Sequence, residues 1–287
     1  MNIINNKEKA LTNGLYIIAT PIGNLDDISI RAIQTLEKVD FIICENPKHS
    51  LKLLNNKGIK KKLLSLHDYN EEKIIRKISK LIKNSSIALI SDAGSPLISD
   101  PGYNLVKFFL DNNAYVTTLP GPSSVIASIQ LSGFPINSFA FYGFVPKQKS
   151  KINDFINKID KSEITCVFFI SGKNLMKTIE YFSKIMGDRE ICICKEISKI
   201  NEQIIKGKIQ NILKKHKESK NIIRGEFTVV VSGRTKNKTK KINPKIYKEL
   251  KKLIKKYNLT EAVKIVHSLT GISKKEIYQT ALNIKND

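Results

Sequence analysis

Short apolar runs recur through the first half of the chain. Each is followed by a turn rich in Gly, Pro or ionisable residues, and most then lead into a segment of helical period. Runs at 15–19, 40–44, 63–66, 87–90 and 114–119 read as five strands. Helical spacing fills 29–38, 71–83, 103–111 and 123–132, the first offering Asp26, Asp27 or Ser29 as its cap. This alternation predicts a mostly parallel sheet with helices packed on it. Beyond a linker at 144–150, a second α/β segment runs over 151–233. It has strands near 164–169, 190–194 and 226–231, a helix over 173–185 and a mixed piece at 200–217. A second linker spans 234–243. Residues 244–285 then read as three short helices, broken at Gly271, with a capping box from Ser273 to Glu276 and helix-turn-helix spacing.

The strand ends carry the chemistry. After the run 87–90 comes Ser91-Asp92-Ala93-Gly94-Ser95-Pro96-Leu97-Ile98-Ser99-Asp100-Pro101-Gly102. Glycines allow left-handed backbone or close approach to a ligand, and prolines remove freedom that binding would otherwise cost. In open α/β sheets this is the edge where ligands bind. The first strand ends in Thr20-Pro21-Ile22-Gly23-Asn24 and the fifth in Pro120-Gly121-Pro122-Ser123-Ser124. No G-x-G-x-x-G follows the first strand, and no phosphate-binding G-x-x-x-x-G-K-[ST] occurs, so neither a dinucleotide-type Rossmann site nor a P-loop is supported.

Composition changes this picture in two places. The net charge is +23, but only five of 49 basic residues are Arg, and the crowding of Lys, Ile and Asn is what an AT-rich genome produces. The charge is nevertheless uneven. Eleven Lys or Arg and one acid lie between Arg234 and Lys256, a stretch that suits a nucleic-acid backbone as well as it suits a solvated helix face. Cys44, Cys166, Cys192 and Cys194 sit in or beside apolar runs, where buried reduced thiols are expected and a metal site is not. No apolar segment reaches bilayer length and the N-terminus lacks a signal core, which points to a cytoplasmic protein without a membrane partner.

Three loops together resemble the ribosomal RNA small-subunit methyltransferase I family: 19–25, 91–102 and 119–124. Asp27-Ile28-Ser29-Ile30-Arg31-Ala32, Gly143-Phe144-Val145-Pro146 and Arg224-Gly225-Glu226-Phe227 add to the likeness. The resemblance implies two α/β domains of tetrapyrrole-methylase type, 14–145 and 151–233, with the cofactor cleft between them, and a small basic helical segment at 244–287. It implies S-adenosylmethionine as donor and 2′-O-methylation of a cytidine in the decoding centre of small-subunit ribosomal RNA, with the RNA or the 30S subunit as partner and a homodimer as the working form. Matched to the family's loops, the cofactor-binding residues are Pro21, Ile22, Gly23, Asp92, Ala93, Gly94, Leu97, Ser123 and Ser124.

Asp92 is read as holding a ribose hydroxyl or the donor's cationic end, or else as capping its own turn. A weakly acidic 2′-hydroxyl benefits from a nearby base. Glu45, His49, His67, Asp68 and Glu196 stand on loop edges, and Glu45 and His67 are the favoured pair. Two segments depart from the family. Glu45-Asn46-Pro47-Lys48-His49 stands where members usually read Glu-Asp-Thr-Arg-His, and Ile170-Ser171-Gly172-Lys173-Asn174 where they read Glu-Ser-Pro-His-Arg. Lys for Arg loses bidentate phosphate recognition. These departures keep two alternatives open, a tetrapyrrole-type small-molecule methylase and a catalytically weakened ribosome-binding factor.

Overall fold

The structure is a computed structural model that describes residues 10–219, 225–234 and 242–286. Arg224 and residues 235–241, most of the expected linker at 234–243, lie outside the described residues. Residues 1–234 form one compact unit and residues 235–287 another.

Five strands build the first sheet: β1 (Gly14–Ile18), β2 (Phe41–Cys44), β3 (Lys62–Ser65), β4 (Ser86–Ile90) and β5 (Tyr115–Leu119). Their order is β3-β2-β4-β1-β5 and every pairing is parallel, as the alternation predicts. The period of two divides each strand between two cores. Tyr16, Ile18, Ile42 and Cys44 enter one apolar cluster, and Leu15, Phe41 and Ile43 enter the other. Helices cover both faces: α1 (Ile30–Lys38), α2 (Pro47–Asn56), α3 (Glu71–Ile78) and α4 (Tyr103–Asp111). Ser29 caps α1 by accepting from Ala32 N, as its position predicts. α2 was not foreseen. Its first turn, Asn46-Pro47, has the look of a loop, but Pro at the first helical position and Asn at the cap start a helix.

α5 (Ser124–Ser132) leads to the second sheet, whose strands are β6 (Phe139–Phe144), β7 (Thr165–Ser171), β8 (Glu190–Lys195), β9 (Gln203–Lys208) and β10 (Glu226–Val231). The order is β6-β7-β10-β8-β9. Only β6 and β7 are parallel; the other three pairings are antiparallel. Here the expected boundary at 145 and linker at 144–150 need correction. β6 belongs to the second sheet, and α6 (Lys149–Asp160) begins inside the supposed linker. The turn-like Gly143 marks a bulge in the β6–β7 pairing rather than the end of a domain. α6, α7 (Gly172–Met186) and α8 (Ile209–Ser219) belong to this layer, and its core holds Phe168, Phe182, Ile193 and Val229.

The second unit holds α9 (Pro244–Ile254), α10 (Leu259–Thr270) and α11 (Lys274–Asn286) around Leu250, Val263, Ile277 and Ala281. Gly271 ends α10 with left-handed backbone, and Ser273 accepts from Glu276 N at the start of α11, as their spacing predicts. Among the described residues no helix is long and apolar enough to cross a membrane.

Candidate functional site

A cavity of about 370 Å³ lies between the C-terminal edge of the first sheet and the second sheet. Its first wall comes from the turns after β1, β2, β4 and β5. Thr20 and Gly94 donate to each other's carbonyls, at 2.9 and 3.0 Å. The buried Thr20 hydroxyl donates to Ser91 O at 3.1 Å, Ser91 Oγ donates to Gly94 O at 3.1 Å, and Ser95 Oγ reaches Pro122 O at 3.3 Å. Three turns that are distant in sequence are thereby one body. Gly94 has φ +81, and a Cβ there would stand 3.3 Å from Ile22 Cγ2. Leu97 and Ser99 also take left-handed backbone, at φ 73 and 74. Conformations that cost non-glycine residues of order 1 kcal/mol persist where the surroundings over-determine them, and they cluster at functional sites.

Of the residues matched to donor binding, Ile22, Asp92, Ala93, Gly94, Ser123 and Ser124 line this cavity. Pro21, Gly23 and Leu97 do not. Leu97 packs its side chain into the core beneath the loop. Gly23 faces the second sheet's β8–β9 loop, where a Cβ would come within 2.8 Å of the Ser198 backbone. The Ser198 hydroxyl donates to Asp27, a second tie between that loop and the turn after β1.

Glu45 lines the cavity and His67 does not. His67 sits on an exposed loop, with its backbone N–H bonded to Asn70 Oδ1 at 2.8 Å and its ring beside Tyr69. In its place the structure brings Asp100 to the cavity, from the turn singled out in the sequence. Burial, the nearby Glu45 and Asp92 push the Asp100 carboxyl up to about 6, against a lowering hydrogen bond from Ser91. Burial, then Asp92 and Asp68, raise Glu45 as well. Asp92 does not cap its own turn. Its Oδ1 accepts from Asn46 N at 3.2 Å, while Asn46 caps α2 through Lys48 N and His49 N. His49 Nδ1 lies 3.8 Å from the same carboxylate oxygen.

On the opposite wall the sequence marks Glu196 as a candidate base and 170–174 and 224–227 as family segments, but gives Phe169 and Cys194 only as core. Because β10 runs antiparallel to β7 and β8, the C-terminal ends of β7 and β8 lie beside its start, with Ser171 opposite Glu226 and Lys195 opposite Phe227. Phe169, Ile170, Ser171, Cys194, Glu196 and Phe227 therefore reach one cavity from three strand ends. Phe144 joins them, 5.2 Å from the Phe169 ring. Glu196 takes φ 51, accepts from Glu226 N at 3.3 Å and pairs with Lys199 at 3.3 Å. Burial raises its carboxyl, but the Glu226 N–H, Lys199 and Lys195 together hold it below the ordinary value. Gly225 lies directly beneath. It has φ +110, and a Cβ there would stand 2.8 Å from Glu196 Oε1.

This arrangement offers main-chain donors and acceptors, an apolar lining and carboxylates in one cleft. It suits a ligand with an apolar ring, hydroxyls and positive charge. Residues 14–213 match the family model of Tetrapyrrole (Corrin/Porphyrin) Methylases. The Ribosomal RNA small subunit methyltransferase I of Haemophilus influenzae is 38% identical, over 95% of this chain and 97% of its own. That of Thermotoga maritima is 40% identical, over 77% of this chain and 98% of its own. Among solved structures, diphthine synthase has a TM-score of 0.59 at 15% identity, covering 77% of this chain and 90% of that one. A uroporphyrin-III C-methyl transferase from Thermus thermophilus, complexed with S-adenyl homocysteine, has a TM-score of 0.52 at 14% identity, covering 80% and 97%. These structures share the fold.

Proposed function

From the premise that the chain belongs to the ribosomal RNA small subunit methyltransferase I family of tetrapyrrole methylases, we propose that it methylates small-subunit (16S) ribosomal RNA. S-adenosylmethionine is the donor and the 2′-oxygen of a decoding-centre cytidine ribose is the acceptor. The observation that carries this reading is the cleft walled by the turns after β1, β4 and β5 and lined by Glu45, Asp92 and Asp100.

The residues present fit the donor. Main-chain groups of 92–95 and the hydroxyls of Ser123 and Ser124 suit its polar groups. Ile22, Ile98, Phe144 and Phe169 suit an adenine, and the carboxylates suit its cationic centres. When bound, the donor supplies a methyl group on a good leaving group, so alignment gives most of the acceleration. Glu45 and Asp100 are the chain's groups for accepting the 2′-hydroxyl proton. A carboxyl poised near neutral pH both ionises and takes a proton readily. Working as a homodimer in the cytoplasm, where ribosomal subunits assemble, belongs to the same reading.

Titration calorimetry with S-adenosylmethionine, followed by mapping of 2′-O-methylation on small-subunit RNA from a deletion strain, tests it. We expect saturable binding of one donor per chain and loss of methylation at one cytidine. Absence of donor binding, unchanged RNA methylation, or transfer to a tetrapyrrole but not to RNA would overturn it.

A further inference from the structure

We propose that the second unit is an RNA-docking module, in which a lysine ridge on α9 takes phosphates and the outward stripe of α11 takes the adjoining nucleotides. The inference rests on the ribosomal RNA reading above and assigns that partner a surface outside the cavity.

The unit's apolar faces are already used. Leu250 of α9, Val263 and Val266 of α10 and Ile277, Ala281 and Ile284 of α11 are all buried against one another. What remains outward is strongly one-signed. Lys245, Lys248, Lys252 and Lys255 recur at three- and four-residue intervals, so they lie along one side of α9 and its C-cap, and all four are exposed. Of the charged partners beside them only Glu249 is acidic, and it is paired with Lys252 at 2.9 Å. On α11 Lys275 and Gln279 lie opposite the buried residues with Tyr278 beside them, all three exposed, while Lys274 and Lys285 flank the buried stripe and Glu276 is the acid of the first turn. A cation, an exposed aromatic ring and an amide on one helix face are the groups that contact phosphates, stack on bases and reach base edges.

The turn presenting α11 is stiff. Gly271 closes α10 in left-handed backbone, Ser273 caps α11, and His267 Nδ1 lies 2.7 Å from Ile272 O. A membrane surface fits less well, because the amphipathic helices have no free apolar face to insert. The Thermotoga maritima relative is matched almost completely by about three quarters of this chain. A relative of the same name thus does without a share of chain of about this unit's size, which suits a part that adds affinity rather than chemistry.

The test uses the full chain with K245Q/K248Q/K252Q/K255Q and, separately, K274Q/K275Q/Y278A. Binding to purified small subunits and to their naked RNA is titrated over a range of salt. We expect at least tenfold weaker binding for each variant. For the α9 variant the slope of log affinity against log salt should fall by about three, since each phosphate neutralised contributes about 0.7 to 0.9. S-adenosylmethionine affinity and kcat should stay within twofold, KM for the subunit should rise, and the corresponding four-arginine variant should bind like wild type. Unchanged RNA affinity and slope in variants of wild-type thermal stability would overturn the proposal. So would wild-type binding to anionic vesicles as tight as to RNA, lost in the same variants. A wild type that binds RNA through this surface but binds no S-adenosylmethionine would overturn the methyltransferase reading alone.

Discussion

Thr20 and Gly94 lie 74 positions apart and exchange both backbone hydrogen bonds, forming a single antiparallel bridge outside any strand. Parallel strands β1 and β4 are neighbours, so their C-terminal turns start side by side, and this bridge fuses them. This wall of the cavity is therefore a rigid continuation of the sheet.

Gly94→Ala should damage this wall. The new Cβ sits at φ +81 against Ile22, so we expect a loss of about 1–2 kcal/mol in stability and at least tenfold in donor affinity. Gly187→Ala is the control. Its φ is +59 with nothing within 4 Å, so it should show a comparable stability loss and unchanged donor affinity. Thermal unfolding and calorimetry on both variants separate the two effects.

Asp100 gives the protein a pH signature. Its carboxyl is raised from 3.8 to about 6 in the folded state. Between those values the folded protein holds a proton that the unfolded chain has lost, so stability from this group rises as pH falls from about 6 toward 4. Asp100→Asn should therefore unfold at a higher temperature than wild type at pH 8, with the gap closing by pH 4. Affinity for the cationic donor should climb as pH rises through 6 in the wild type, and climb less in the variant. Calorimetry at pH 5, 6 and 7.5 reads this directly.

Glu45→Gln and His67→Ala should part company. Glu45 lines the cavity beside Asp100, and its loss should lower methyl transfer at least tenfold. His67 stands outside, and its removal should leave the rate within twofold. Single-turnover transfer to small subunits decides between them. Equal losses would return His67 to the site.

Gly225→Ala tests the far wall. A Cβ 2.8 Å from Glu196 Oε1 must push that carboxylate off the Glu226 N–H and Lys199. We expect donor affinity to fall about tenfold or more, while Glu196→Gln at the same place keeps the wall's shape and loses less.

Local chemistry announced half of this site and topology supplied the rest. The turns at 20–24, 91–102 and 120–124 could be read because Gly, Pro and Ser at strand ends have few other uses. The first sheet could be read because its strands are continuous apolar runs, as buried parallel strands must be. Phe169, Ile170 and Cys194 look like core residues on any periodicity, and they are. They reach the cavity only because β10 runs against β7 and β8. No local pattern marks strand direction. Asp100 was inside the right loop, but its burial beside Glu45 is a long-range fact. α2 and β6 were hidden by prolines and glycines that begin a helix and form a bulge.

A wall closed by backbone amides and a few short hydroxyls distributes mutational risk unevenly. The Thr20–Gly94 bridge uses only atoms that every residue carries, so most codon changes at Thr20 leave those two bonds in place, whereas the hydroxyl ties of Thr20, Ser91 and Ser95 need Ser or Thr. The dangerous codons are those where any side chain collides, such as Gly94 beside Ile22 and Gly121, whose added Cβ would stand 2.9 Å from Ala19 Cβ. A genome drifting toward Lys, Asn and Ile can thus rewrite much of this protein's exterior and still leave this wall of the cavity intact. A complete substitution scan read by donor binding should show a few isolated, sharp minima on a tolerant background.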